Sequence, residues 1–126
     1  MSEYPPFGLG YPRTELRRQL VAAVLAGEKT STSGLLEDYE QEGESVAAAG
    51  DRFLLEGFDE EPVAVVEVTE ARIVPASEID VAFARDEGEG FETVDDWRVA
   101  HEEFFGRPIA PDTQIVAIRF RVVERL

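Results

Sequence analysis

Lys29 is the basic residue with the most distinctive chemistry, because the other eleven basic residues of the chain are all arginines. Arginine is effectively never deprotonated, whereas a lysine in a partly desolvated site can lose its proton and act as a base. A function that needs an amine would explain the exception. Lys29 also follows the end of a predicted helix, where the helix dipole favours any cation, so a structural role explains it equally well.

Four hydroxyl-bearing residues follow this lysine directly: Thr30, Ser31, Thr32 and Ser33. A lysine can activate a neighbouring hydroxyl for nucleophilic attack, so a Lys–Thr or Lys–Ser pair is chemically available. In a regular strand Lys29 shares a face with Ser31 and Ser33, so a pair of Lys29 with Thr32 requires a turn or bulge. The alternative is an ordinary polar loop whose hydroxyls satisfy the local backbone, and the composition of this segment predicts a loop.

Glu87 is a candidate acid or base because it continues a helical stripe formed by Ile79 and Phe83, in a short helix for which Ser77 is the predicted cap. At an inward-facing helix C-terminus, burial and the helix dipole would both raise the pKa of Glu87 unless a cation lies nearby. Lys29 could be that cation. The alternative is a frayed helix end with Glu87 in solvent.

His101 lies one turn after Trp97, on a helical stripe that continues to Phe104 and Phe105. Thr93 is the predicted cap of this helix. The pattern favours a histidine that lines a core or a cavity and has its hydrogen bonds satisfied, over one with a direct catalytic role. Between the two short helices, the triplet from Gly88 to Gly90 is either a flexible lip beside a ligand or a plain helix stop.

Composition excludes several classes of function. With 126 residues, of which 44% are hydrophobic, the chain is long enough for one domain with its own core. A net charge of −15 is the opposite of the basic footprint of a protein that coats long nucleic-acid duplexes. The absence of cysteine and the single histidine exclude disulfides, thiolate zinc sites, a cysteine nucleophile and a histidine-rich metal cage. Because neither a targeting signal nor an apolar span is visible, we expect a cytoplasmic protein without a membrane partner.

The elements that must position these residues alternate between helix and strand. We expect a single domain over residues 1–126, in which residues 1–13 form an irregular arm and a helix begins at a Thr14 cap and ends at Gly27. The next predicted elements are a short helix within Leu35–Glu44, strands at Arg52–Gly57 and Val63–Val74, the two short helices above, and a strand at Gln114–Glu124. This order predicts an α+β domain with a small, mostly antiparallel sheet or barrel.

Several of these motifs occur together in one known family. They are Gly27-Glu28-Lys29-Thr30-Ser31-Thr32 after an amphipathic helix, Gly50-Asp51 before a strand, Glu87-Gly88-Glu89-Gly90, Trp97-Arg98, His101 and Phe104-Phe105. In this combination the chain resembles the ASCH family in its longer bacterial form, over nearly its whole length. The resemblance implies a PUA-like fold, a small β-barrel with surrounding helices, and a cleft lined by the Gly-x-Lys-Thr segment.

The resemblance also implies activities. Some family members are similar to N4-acetylcytidine amidohydrolases, one is described as a ribonuclease, and the family was first viewed as an RNA-binding module. By similarity to the amidohydrolase branch, we expect Lys29, Thr32 and Glu87 to be catalytic. The residues that we expect to bind substrate are Thr30, Ser31, Ser33, Glu89, Trp97 and His101.

The sequence therefore leads to two hypotheses. The first is an amidohydrolase of N4-acylated cytidine nucleosides, in which Thr32 attacks the acyl carbonyl, Lys29 takes its proton, and Glu87 holds the lysine or relays a proton to the leaving amine. This hydrolase needs no metal or cofactor, and a substrate without phosphate suits the acidic chain. The second is an RNA-binding module, with or without ribonuclease activity, whose basic face would consist of Arg17, Arg18, Arg119 and Arg121.

Overall fold

The computed structural model describes residues 4–7, 9 and 15–126 of the chain. The elements are α1 (Glu15–Leu25), β1 (Ser31–Leu35), α2 (Leu36–Glu42), β2 (Arg52–Glu56), β3 (Pro62–Pro75), a 3-10 turn (Ala76–Glu78), α3 (Val81–Asp86), α4 (Val94–Phe105) and β4 (Gln114–Arg125). Helices and strands are mixed along the chain, which confirms the α+β class. None of the helices in the described ranges has the length and apolar character needed to cross a membrane.

The four strands form one antiparallel sheet in the order β1-β4-β3-β2, which curls into a half-barrel. The predicted strand at Gln114–Glu124 is confirmed by β4, whose Val116, Ile118 and Phe120 belong to one buried cluster. Ile115 and Ala117, on the opposite face, are buried as well, in a second cluster that includes residues of α3 and α4. The sheet therefore has a core on both faces, and β1 is one of its two edge strands.

Helix α1 sets the position of Lys29. Its buried residues include Leu20, Val21 and Val24, so the helix packs one apolar face against the core, as expected of an amphipathic helix. The predicted cap, Thr14, lies outside the described residues. At the other end Gly27 adopts a φ of 79°, and the backbone N–H of Lys29 then donates to the carbonyl of Ala23 at 3.1 Å. Lys29 is thus held against the last turn of α1 before β1 begins.

The polar segment after Lys29 forms a strand, so the predicted loop is wrong from Ser31 onward. Strand β1 pairs with β4 in a continuous register that runs from Ser31 opposite Arg119 to Leu35 opposite Ile115. The segment after Lys29 has no apolar alternation of its own, but the backbone of β4 provides hydrogen-bond partners for it. Pairing with β4 therefore outweighs the local preference of these residues for a loop. The short helix α2 follows at once, inside the predicted range.

Helix α3 begins later than predicted, and Ser77 is not its cap. Ile79 is extended, with φ −69° and ψ 123°, and this separates the 3-10 turn from α3. The carboxylate of Asp80 caps α3 by accepting the N–H of Phe83 at 2.8 Å. Because α3 ends at Asp86, Glu87 is the first residue beyond the helix rather than part of its stripe. In α4 the predicted cap at Thr93 is confirmed.

The loop after α3 packs directly on the chain that enters β1. The N–H of Thr30 donates to the carbonyl of Asp86 at 2.7 Å. Gly88 has a φ of +70°, and a Cβ placed on it would lie 2.7 Å from the carbonyl oxygen of Glu28 and 2.9 Å from the Cα of Lys29. Only glycine permits this close approach, which brings Glu87 beside Lys29.

We expect Gly88→Ala to lower the free energy of unfolding by about 2–5 kcal/mol, because it adds a backbone clash to the cost of a left-handed conformation. The matched control is Gly90→Ala, since Gly90 has a φ of +85° but no atom within 4 Å of a built Cβ. The control should cost only about 1–2 kcal/mol. Urea titrations of both variants measure the difference, and equal losses would contradict the close-approach argument.

Candidate active site

A cavity of about 920 Å³ lies along the free edge of β1. In β1, Thr32 pairs with Ile118 of β4 and Ser33 pairs with Ala117, so the two side chains lie on opposite faces of the sheet. Both nevertheless line this cavity. The cavity therefore wraps around the edge of the strand. The predicted site residues that line it are Lys29, Thr32, Ser33, Glu87, Glu89 and His101.

The amine of Lys29 is almost completely buried, with 1% of the side chain exposed. Its Nζ donates to the carbonyl of Ser31 at 2.8 Å and to that of Glu87 at 3.2 Å. The carboxylates of Glu87 and Glu89 lie 3.7 and 3.8 Å from it. Burial lowers the pKa of Lys29, and the two carboxylates only partly offset this effect. The site therefore holds an amine that gives up its proton more readily than an ordinary lysine.

The carboxylate of Glu87 is buried and contacts four side chains. Its Oε2 accepts from Trp97 Nε1 at 2.6 Å and from Ser33 Oγ at 2.7 Å. Its Oε1 lies 3.2 Å from His101 Nε2, on the same side as Lys29. Burial raises the pKa of Glu87, but His101, Lys29 and Ser33 together outweigh this and hold it below the ordinary value. Glu87 is thus the anionic centre of the cluster, and the Lys29 amine lies beside it, as the sequence suggested.

His101 has the satisfied environment that its pattern predicted. Its Nδ1 lies 2.7 Å from the carbonyl of Trp97, and its ring stacks on that of Trp97 with 4.7 Å between centroids. Burial lowers the pKa of His101, but the hydrogen bond and charge of Glu87 raise it by more than burial lowers it, so the net shift is upward.

Burial raises the pKa of Glu89, which is the most exposed member of the cluster.

The four hydroxyl residues after Lys29 have different environments. Ser31 is fully buried and donates to the carbonyl of Phe83 at 2.9 Å, which favours a structural role over the predicted substrate contact. Ser33 Oγ has three partners, since His101 Nε2 and Trp97 Nε1 also lie within 3.3 Å of it. Thr32 lines the cavity and makes no side-chain hydrogen bond to the described residues. Thr30 does not line the cavity, and its contact with substrate stays a prediction.

Trp97 is a support for the site rather than part of the cavity wall. It is 1% exposed, and its indole N–H holds the carboxylate of Glu87. Two further aromatic rings lie beside His101, those of Phe91 and Phe105, whose centroids are each 5.8 Å from that of the imidazole. Phe105 was on the predicted stripe, but nothing in the spacing of Phe91 indicates this contact.

The predicted basic face is neutralised by acidic partners. Arg119 pairs with Asp86 at 2.7 Å, and Arg121 pairs with Glu67 at 3.0 Å. Arg18 contacts Glu15 at 3.3 Å, while Arg17 is buried, 3.7 Å from Glu56. Each of these four arginines therefore has an acidic neighbour, which reduces the positive charge that they present to a phosphate.

Three side chains of the cluster have atoms that could ligate a metal ion. One ligand atom each from Glu87, Glu89 and His101 lies within 4.8 Å of the others. However, the Lys29 amine already contacts both carboxylates, and a charged amine there would repel a second cation. The geometry fits an internal ion cluster better than a metal centre.

The contact of Glu87 with His101 predicts a pH-dependent contribution to stability. Because the pKa of His101 is raised above 6.5, its contribution is fully present below that pH and is lost as the pH rises through the folded value. Because the pKa of Glu87 is lowered below 4.5, its contribution is present above that pH and is lost on further acidification. We expect the coupling free energy from a double-mutant cycle of His101→Gln and Glu87→Gln to be largest between pH 4.5 and 6.5.

Urea titrations at several pH values measure this coupling. It should decrease in alkaline solution, where His101 loses its charge. A coupling that stays constant from mildly acidic to alkaline pH would show that the two residues share no ion pair.

Comparison with known proteins agrees with this architecture. The chain is similar to the crystal structure of protein EF3133 from Enterococcus faecalis V583, with 27% identity, a TM-score of 0.85, and coverage of 99% of this chain and 79% of that one. It is similar to the ASCH domain from Lactobacillus crispatus JV V101, with 25% identity, a TM-score of 0.78, and coverage of 98% and 79%. Hypothetical protein PH0355 shares the fold at 17% identity and a TM-score of 0.59, over 86% of this chain and 94% of that one.

Among curated proteins none matches this sequence. The family model described as ASCH domain matches residues 9–124, which is nearly the whole chain. The predicted PUA-like α+β fold is confirmed by the half-barrel sheet and its helices. The chain therefore belongs to the ASCH domain family.

Proposed function

We propose that this protein is an amidohydrolase that cleaves the amide of N4-acylated cytidine nucleosides, such as N4-acetylcytidine, into cytidine and a carboxylic acid. The observation that carries the proposal is the meeting of an amine, a free hydroxyl and a carboxylate at one cavity. Lys29, Thr32 and Glu87 all line it, although they come from two distant segments of the chain. ASCH domains are proposed to have hydrolytic or RNA-binding roles, and this arrangement favours hydrolysis.

Thr32 is the hydroxyl best suited to attack the acyl carbonyl. The hydroxyl of Ser31 is committed to a backbone carbonyl, and that of Ser33 donates to Glu87 and accepts from its other neighbours. Thr32 lies at the cavity with no hydrogen-bond partner among the described side chains, so its oxygen is accessible to a substrate. A nucleophile needs this access as well as a nearby base.

Lys29 is the base that takes the proton of Thr32. Burial lowers its pKa, so the neutral amine forms more readily than in an ordinary lysine. In the ligand-free site its Nζ donates to the carbonyl of Ser31, the residue next to Thr32. The proton transfer therefore requires the amine to move from that carbonyl to the neighbouring hydroxyl when substrate binds. Glu87 holds the amine during this step, and the reaction uses only groups of the chain.

The charge of the cavity favours a nucleoside over a nucleotide or RNA. The acidic residues that line the cavity are Asp38, Glu42, Glu44, Glu87, Glu89 and Glu103. Lys29 is the only lysine or arginine among the described lining residues. A phosphate would be repelled by this surface, whereas a neutral nucleoside brings no charge.

We expect Thr32→Val to reduce the release of cytidine from N4-acetylcytidine by about 10³-fold or more, because it removes the nucleophile. The matched control is Thr69→Val, since Thr69 is exposed on β3, away from the cavity lining. Chromatographic quantification of cytidine measures both. Full activity of Thr32→Val would refute its assignment as nucleophile, and an inactive unmodified protein would refute the proposed function.

Lys29→Arg separates hydrolysis from RNA binding. An arginine keeps the positive charge but cannot act as a base, so cytidine release should be abolished. A contact of Lys29 with RNA phosphate would instead survive the change. Binding to a single-stranded RNA probe and cytidine release are measured on the same folded preparation, with circular dichroism as the check of folding. Retained turnover in Lys29→Arg would exclude Lys29 as the base.

We expect the 5′-phosphate of N4-acetylcytidine to be a poorer substrate than the nucleoside, with a lower kcat/KM. The difference should shrink as salt is added, because salt screens the repulsion between phosphate and the acidic cavity. Steady-state kinetics at low and high ionic strength measure it. A preference for the phosphorylated compound would contradict the electrostatic argument.

A further inference from the structure

The hydrogen bonds around Ser33 determine the protonation of His101. A serine hydroxyl has one proton, and the shortest of its contacts, 2.7 Å, is to the carboxylate Oε2 of Glu87. Since the carboxylate can only accept, Ser33 donates to it. Ser33 Oγ must then accept from His101 Nε2, which lies 3.1 Å away and therefore carries a hydrogen.

The second ring nitrogen of His101 also carries a proton. Its Nδ1 lies 2.7 Å from the carbonyl oxygen of Trp97, which can only accept a hydrogen bond. A ring with hydrogen on both nitrogens is an imidazolium. The nearby Oε1 of Glu87, 3.2 Å from Nε2, supplies the balancing negative charge. The resting site therefore contains a protonated acid at the cavity wall.

We propose that His101 is the general acid that protonates the leaving amine in the amidohydrolase reaction. This inference rests on the proposed function, because it assigns a second proton carrier to the same site. His101 lines the cavity that also contains Thr32. Glu87 cannot be the donor itself, because its contacts stabilise the unprotonated carboxylate. Lys29 is occupied as the acceptor of the proton from Thr32.

Lys29 as proton acceptor and His101 as proton donor together account for every proton transferred in the reaction. In the first half, the Thr32 oxygen bonds to the acyl carbon and its proton passes to Lys29. The carbon–nitrogen bond breaks, and His101 Nε2 gives its proton to the amine nitrogen, so cytidine leaves with a complete amino group. In the second half, water attacks the acyl ester, its proton passes to His101, and Lys29 returns a proton to the Thr32 oxygen. Carboxylic acid is released, and both carriers are restored.

The groups that face the imidazole make this exchange feasible. Glu87 and Glu89 lie on the loop after α3, Lys29 lies before β1, and the Trp97 carbonyl belongs to the same helix as His101. When His101 loses its proton as Lys29 gains one, the cluster keeps its total charge. Charge is thus moved within a buried network without a net change, which limits the desolvation cost.

The experiment compares two acetyl donors that differ in the leaving group. N4-acetylcytidine needs a proton on its leaving nitrogen, whereas 4-nitrophenyl acetate releases a phenolate that needs none. We expect His101→Gln to slow the first-turnover release of cytidine from the amide by about 10²–10⁴-fold, and to change the initial burst of 4-nitrophenolate, which precedes hydrolysis of the acyl ester, only a few-fold. Thr32→Val should lose both activities. Equal losses on both substrates in His101→Gln, or no loss on the amide, would overturn the assignment.

A second measurement does not depend on any variant. Because the chain has a single histidine, the ring nitrogens of ¹⁵N-labelled protein give signals from His101 alone. Both nitrogens should be protonated at neutral pH, with a titration midpoint above 6.5. A neutral ring at neutral pH would overturn the proposal, even if the protein hydrolyses both substrates. An unmodified protein that hydrolyses no amide refutes the proposed function, and the general-acid role fails with it.

Discussion

The buried contact between the Lys29 amine and the Glu87 carboxylate, 3.7 Å apart, is the interaction on which the rest of the site depends. Each group would be costly to bury alone, because a charge removed from water loses its hydration. Together with their hydrogen bonds they compensate each other, and burial then moves the pKa of the amine toward neutrality. The fold creates this contact by joining the end of α1 and the loop after α3 across a glycine that has no room for a side chain.

The position of β1 at the edge of the sheet explains why the side chains of Ser31, Thr32 and Ser33 have two different environments. Alternate side chains of a strand point to opposite faces. Ser31 and Ser33 point toward α3 and α4, where they stabilise the helix and the carboxylate. Thr32 points toward the other core, and its side chain makes no hydrogen bond within the part of the chain that the structure describes. Because no strand of the described residues pairs with the other edge of β1, a single cavity reaches both faces, and Thr32 and Ser33 both line it.

The chemistry of the site was more predictable from the sequence than its geometry. Residue type singled out Lys29 as the one lysine, helical spacing singled out Glu87 as a carboxylate that needs a nearby cation, and the structure brings the two together. The strand at Ser31 was missed, because its pairing with β4 depends on residues far along the chain. Ser77 and Asp80 are both good helix caps, and local sequence does not decide between them. The role of Ser33 as the hub of the network follows only from the register.

Apart from Lys29 and His101, every basic residue of the chain is an arginine, and this limits the side chains through which the protein can exchange protons. Arginines keep their charge over the whole physiological range. The chain has no cysteine, so histidine is its only side-chain type that ordinarily changes charge close to neutrality, and burial lowers the pKa of the one lysine. Both groups lie in the same cluster. When a small molecule enters, side chains therefore exchange protons with a neutral buffer at the cavity. Binding heats measured in buffers of different ionisation enthalpy give the number of these protons.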